Sequence, residues 1–230
     1  GPACTLRADA SGRLRGDKPW CSGSELVDVA LVTVRDETGV QLYRVDASQW
    51  HALEGEPWPA PGMAGVPSTT VRFDDAQAEA VGPLNAYLDR PGFWHGGAGI
   101  AAVWFGAATA LADRMQHACS EGLRARLLGK ADLALAPAAA LLRELATAID
   151  LAPQLTHRVQ VVRARSVVER AATQILDLAG RALGPAPMCM EDAHARRWAD
   201  LSVFLRQSHA DKDWEWLGQQ CAAQVKPWAL

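Results

Sequence analysis

Apolar residues alternate with polar ones in the first third of the chain and recur at helical spacing beyond it, so the pattern predicts strands followed by long helices. Val27 to Val34 and Val40 to Val45 are β-branched runs flanking Asp36-Glu37-Thr38-Gly39, a turn with glycine where positive φ is easiest, and they predict a hairpin. Pro57, Pro59, Pro61 and Gly62 break the pattern before Ser68-Thr69-Thr70-Val71-Arg72-Phe73 resumes it as a strand ending at Asp74-Asp75. Past Pro91, Ala- and Leu-rich segments over 93–120, 123–150, 154–183 and 191–219 read as helices joined by short Gly or Pro breaks. Pro137 should kink or start the second helix, Gly184-Pro185 should stop the third, and Asp192 should cap the fourth. The expectation is an α+β fold: a β-barrel-like domain over 1–90, then an antiparallel four-helix bundle over 91–230.

Composition narrows this little. A chain of 230 residues, 49% hydrophobic and 21% charged, is long enough for one large or two modest cores. A net charge of −3 gives no global phosphate-tracking surface and argues against nucleic acid. The 5 cysteines, Cys4, Cys21, Cys119, Cys189 and Cys221, lack the spacing of a disulfide framework or a metal site, which makes a reducing cytoplasm the default and leaves no metal expected. Phe93 to Ala112 carries no formal charge over 20 residues, the length of a membrane span. Its Gly and Ala content, His95, and the absence of flanking basic clusters point instead to a buried bundle helix, with no membrane span. The chain lacks an initiator Met and opens almost at once in a strand-like segment, so a preceding N-terminal domain is expected to be missing.

Candidate chemistry begins at Gly16, Lys18, Trp20 and Ser22. Strand alternation places Trp20 and Ser22 on one face, an indole to lie against a planar ring and a hydroxyl to meet its polar edge. Taken alone, the motif reads first as a Trp packing under a hairpin and a Ser in a turn. With Gly62-Met63, Ser68, Val71-Arg72-Phe73-Asp74-Asp75 and the late segment Ala193 to Leu201, however, it resembles the middle β-domain and C-terminal bundle of the acyl-CoA dehydrogenase superfamily. The resemblance implies FAD between barrel and bundle, often across a subunit interface, with Trp20 and Ser22 at the flavin ring. It places the pyrophosphate on Arg124 or Arg126, within Arg124 to Gly129, while Arg181 to Gly184 keeps half of a further family contact. It also implies a small-molecule substrate such as acyl-CoA, an unidentified electron acceptor, and a homodimer or homotetramer.

The departure from the family lies in the last helix. The family's catalytic Glu, in a Tyr-Glu-Gly-Thr context, falls on Gln207-Ser208-His209-Ala210, so Ser208 replaces it. A neutral Ser does not take a carbon-bound proton unaided, and Phe93 to Gly97, the alternative family position, holds no carboxylate. His209 is the candidate catalytic residue: it follows Leu205 and Leu201 on the expected inward face with Trp198, and Asp213 can orient it. Flavin monooxygenases of this fold are similar in carrying a His near this point. A His merely satisfied by Asp213 is the plainer alternative. His95, beside Gly96 and Gly97, is a weaker second candidate, and Arg158, Arg163, Arg165 and Arg170 are expected on a solvated face, an anion-facing stripe being the alternative. An FAD-dependent oxidoreductase on an acyl thioester leads the readings, with a flavin monooxygenase and a non-enzymatic binding or assembly module as alternatives.

Overall fold

The two β-branched runs do pair across Asp36–Gly39. In the computed structural model, which describes residues 3–53 and 58–223, they belong to a first unit spanning Gly1–Arg90. Its strands are β1 (Arg7–Ala8), β2 (Leu14–Ser22), β3 (Val29–Arg35), β4 (Val40–Asp46), β5 (Trp50–Ala52), β6 (Ser68–Ala76) and β7 (Glu79–Val81), followed by a short helix α1 (Ala86–Asp89). Among the described residues they form two antiparallel sheets, β1-β2-β6-β5 and β3-β4-β7, rather than one hydrogen-bonded ring. The Asp36 carboxylate accepts from the Thr38 and Gly39 backbone N–H groups at 2.7 and 3.1 Å, which fixes the hairpin turn. Register then puts Val32, Val34 and Val45 on the inner face of one sheet. Leu14, Val71 and Phe73 of the other meet them, with Leu6, in a shared core. Each such side chain contributes about 1.5–3 kcal/mol by leaving water.

On the outer face of the larger sheet, Arg72 donates through Nε and Nη2 to both Asp17 carboxylate oxygens at 2.7 Å. That bidentate bond holds the Asp17 carboxyl below the usual carboxylate range.

The second unit, Pro91–Leu230, is helical. It comprises α2 (Pro91–His117), α3 (Leu123–Leu151), α4 (Arg158–Leu183), the short α5 (Ala186–Met190), α6 (Asp192–Phe204) and α7 (Asp211–Ala222). Helical spacing gathers Trp104, Ala108, Leu111 and Met115 of α2 against Val168, Ala172, Ile175 and Ala179 of α4, with Leu127 and Ala131 of α3 and Leu201 of α6. Small residues set the separation. A Cβ added at Gly180 would lie 3.0 Å from the Trp198 ring, so α6 approaches α4 because that position carries no side chain.

Several sequence expectations need correction. The charge-free run is the body of α2, yet only one face is buried; Gly96, Gly99, Val103 and Gly106 lie exposed. No helix among the described residues is long and apolar enough to cross a membrane. Pro137 does not start α3 but lies inside it on the exposed side, where water can serve the carbonyl its ring leaves unpaired. Asp192 is the first residue of α6 rather than its cap and accepts instead from Arg196 at 2.7 Å. The expected last helix is two: a 3-10 turn at Leu205–Gln207, then extended Ser208 and left-handed Ala210, separate α6 from α7. Asp211 and Asp213 restart the helix, carboxylates in a first turn being favoured by its dipole.

His194 is 4% exposed and its Nδ1 is buried without a hydrogen-bond partner. Burial holds the ring below the ordinary His value of 6.5, against the opposing pull of Glu191, itself paired with Arg114; Arg114 and Arg197 push the same way as burial. The unfolded chain therefore binds a proton more readily than the folded one. The stability that neutral His194 contributes is complete above the unfolded value and is lost as pH falls below it toward the lowered folded value. Denaturant melts of His194→Leu are expected to show a smaller loss between about pH 7.5 and about pH 5.5 than the parent. In the same assay Ile175→Ala, in the α4 core, should cost about 2–5 kcal/mol, and Leu133→Ala, on the exposed side of α3, less than about 0.5 kcal/mol.

Candidate functional site

Strand β2 carries one residue too many for its partner. Lys18 pairs with Val71 and Cys21 with Thr69, so a bulge falls at Pro19-Trp20. Trp20 adopts φ 64°, the left-handed region, and its side chain stands 62% exposed. A bulge rather than regular alternation sets the directions of Trp20 and Ser22: the extra residue turns Cys21 toward the core, where burial pushes its thiol up. Trp20 and Ser22 nevertheless meet. Both line one pocket of about 350 Å³ whose wall includes Lys18, Cys21, Leu31, Trp50 and Phe73. The Ser22 hydroxyl shares a short hydrogen bond with that of Ser68 on the paired strand, and either oxygen can donate.

The other two residues of the motif have structural duties. Gly16 has φ 109°, and a Cβ there would lie 2.6 Å from the Thr5 carbonyl oxygen, a backbone atom that has no room to move. The Lys18 ammonium donates to Thr33 O at 3.1 Å and so ties the two sheets together beside the pocket. Sequence reasoning overlooked Trp58, whose ring meets that of Trp20 edge-on with centroids 6.4 Å apart.

In the helical unit, Arg124 and Arg126 are exposed in the first turns of α3. Two residues apart, they do not share a helix face. Arg124 Nη1 donates to Ala118 O at 3.2 Å, which folds the guanidinium back on the preceding loop. Ser208 serves its own turn, its Oγ accepting from the Ala210 N–H at 3.3 Å. His209 does not lie on an inward helix face: it sits in the break before α7, its side chain 74% exposed, with Nδ1 3.8 Å from Asp213 Oδ1. His95 Nε2 contacts Leu155 O at 2.9 Å, and its ring lies 5.9 Å from that of His157.

Two of the four α4 arginines expected on a solvated face are instead packed. Arg158 lies between the Trp94 and Trp216 rings, 4.5 and 4.1 Å from their centroids. Arg165 sits 4.8 Å over the Trp104 ring and donates to Gly97 O at 2.8 Å, with burial lowering its pKa against the pull of Asp213. The signal was present in the sequence, since Arg158 and Arg165 share the helical stripe of Val161 and Val168.

The sequence matches no protein-family model and no curated protein. Solved structures do match. An acyl-CoA dehydrogenase of Geobacillus kaustophilus superposes with a TM-score of 0.81 at 14% identity, over 96% of this chain and 64% of that one. One from Slackia heliotrinireducens gives 0.76 at 19%, over 97% and 66%. The dibenzothiophene monooxygenase TdsC of Paenibacillus sp. A11-2, in complex with FMN and indole, gives 0.74 at 18%, over 94% and 66%. Over nearly its whole length, then, and across about 64% of the length of such neighbours, this chain has the fold of the acyl-CoA dehydrogenases.

Proposed function

We propose that the chain is a flavin-binding oxidoreductase of acyl-CoA dehydrogenase type, acting on an acyl thioester or similarly activated small molecule. The observation that carries this reading is the bulge on β2, which presents an exposed indole and a hydroxyl to one pocket. An aromatic plane, an apolar wall and a hydroxyl able to donate or accept suit a ring system with a polar edge. FAD bound there would supply the two-electron acceptor, with Trp20 against the ring and Ser22 at its polar edge, and this reading assigns the phosphates to Arg124 or Arg126.

The proton chemistry belongs to the turn between α6 and α7. Ser208 supplies no base, so the dehydrogenase reading assigns proton removal to a group other than residue 208. His209 supports a second reading, a flavin monooxygenase: its Nδ1 lies 3.8 Å from Asp213 Oδ1 and its ring is open to solvent. The likeness to a dibenzothiophene monooxygenase favours that reading alongside the first.

Incubation with FAD followed by desalting should leave a flavin spectrum shifted from that of free FAD; none, from folded protein, would count for a non-enzymatic module. Trp20→Ala should weaken FAD binding by roughly tenfold or more, measured by flavin fluorescence. His209→Ala should keep the flavin and lower turnover with oxygen and a flavin reductase by about 100-fold. Equal effects on binding would remove the assigned roles. Ser208→Glu places a carboxylate at the turn and should speed anaerobic bleaching by acyl-CoA by about 100-fold. An unchanged rate would mean that residue 208 does not face the substrate.

A further inference from the structure

Trp20 holds an unfavourable backbone conformation. A left-handed non-glycine residue costs about 1–3 kcal/mol and persists only where its surroundings over-determine it. On the strand side that determination is visible: Lys18 is tied to Thr33, and the Cys21 thiol donates to Lys18 O at 3.3 Å. On the ring side the aromatic contact is Trp58, with an interplanar angle of 82°, the edge-to-face geometry that aromatic quadrupoles favour.

Trp58 is itself anchored. Its Nε1–H donates to Gly62 O at 3.0 Å. Gly62 is buried, Met63 takes φ 58°, and the Val66 N–H closes onto Met63 O at 2.9 Å. The Gly62-Met63 pair singled out in the sequence therefore has a mechanical role as the seat of Trp58. A contact chain runs from this turn through one indole to the other. Trp58 does not line the pocket, so whatever it does to a ligand there passes through Trp20.

We propose that Trp58 is the positioning residue of the flavin site, fixing the plane of the Trp20 indole so that one ring face stays free for the isoalloxazine. The inference rests on the flavin reading above. It assigns to Gly62-Met63 the task of setting that plane, and it makes flavin affinity depend on a residue outside the pocket wall.

The test compares the full chain with Trp58→Leu, which keeps bulk without an aromatic edge, and Trp58→Phe, which keeps the edge without the Nε1 donor. FAD binding is read by flavin fluorescence, indole coupling by the far-ultraviolet circular-dichroism couplet, and folding by thermal midpoint. Trp58→Leu is expected to lose the couplet and to weaken FAD binding roughly two- to tenfold at an unchanged midpoint, the worth of one aromatic pair. Trp58→Phe should recover most of the affinity. Wild-type affinity in Trp58→Leu, beside a clear loss in Trp20→Ala, would overturn the inference and leave the flavin reading standing. So would a lowered midpoint that tracks the affinity and is not rescued by Phe. A folded parent that retains no FAD would remove both.

Discussion

One extra residue between Lys18 and Cys21 governs the β unit. Both strands of the β2–β6 pair must keep Val71 and Phe73 inside, because each loses stabilisation on the order of kilocalories if turned to water. An insertion in one strand would flip every later side chain to the wrong face. The chain absorbs the insertion at once, in a bulge that turns Cys21 inward and leaves Trp20 outside in the left-handed region. The conformational cost falls on the residue that emerges at the pocket, and core packing on either side bears it. A second irregularity on the same pair, at Asp75 with φ 57°, compensates near the other end: Arg15 donates to its carboxylate through Nε and Nη2 at 3.1 and 2.7 Å. The strand pair is thus regular in the middle and bent at both ends.

The helical unit solves a different problem. Alanine and glycine bring α2, α4 and α6 close but give each helix little apolar volume, so large side chains must fill what remains. Trp104 and Trp198 do so within the core, the Arg158 guanidinium does so between Trp94 of α2 and Trp216 of α7, and that of Arg165 does so against α2. Stacking on indoles suits a planar, weakly hydrated cation better than it would an ammonium, which explains arginine rather than lysine at these positions. The Trp104 Nε1 is buried without a hydrogen-bond partner, so the packing there is achieved at the expense of one donor.

The strand and helix periods made most of the architecture legible: the hairpin at Asp36–Gly39, the strand from Ser68, and helices α2, α3 and α4 all follow from spacing and turn residues. What escaped are the places where tertiary packing overrides local pattern. Trp20 and Ser22 alternate in the sequence, and only their register against Val71 and Thr69 exposes the bulge. The stretch from Leu205 to Asp213 keeps a helical apolar period through Leu205, but the helix stops where Leu205, fully buried, meets the core and Arg206 reaches Glu169 at 3.3 Å. Continuing the helix would have required Ser208 and His209, neither a strong helix former, to hold it without further core contact. Trp58 lies in a Pro-rich stretch where no period exists to read, so nothing local pointed to it.

The α6–α7 break bears directly on the chemistry. A residue inside a helix projects at a fixed angle, whereas Ser208 has extended backbone between a 3-10 turn and Ala210, which takes positive φ, and so lies outside any helical face. The Ser208 hydroxyl accepts from the Ala210 N–H. His209, next in the chain, has Asp213 Oδ1 3.8 Å from its Nδ1 and its ring open to solvent, so the proposed proton transfer would take place at an exposed imidazole. On the proposed reading, an exposed imidazole at this turn fits the monooxygenase alternative better than the dehydrogenase one, while the fold is that of the dehydrogenases.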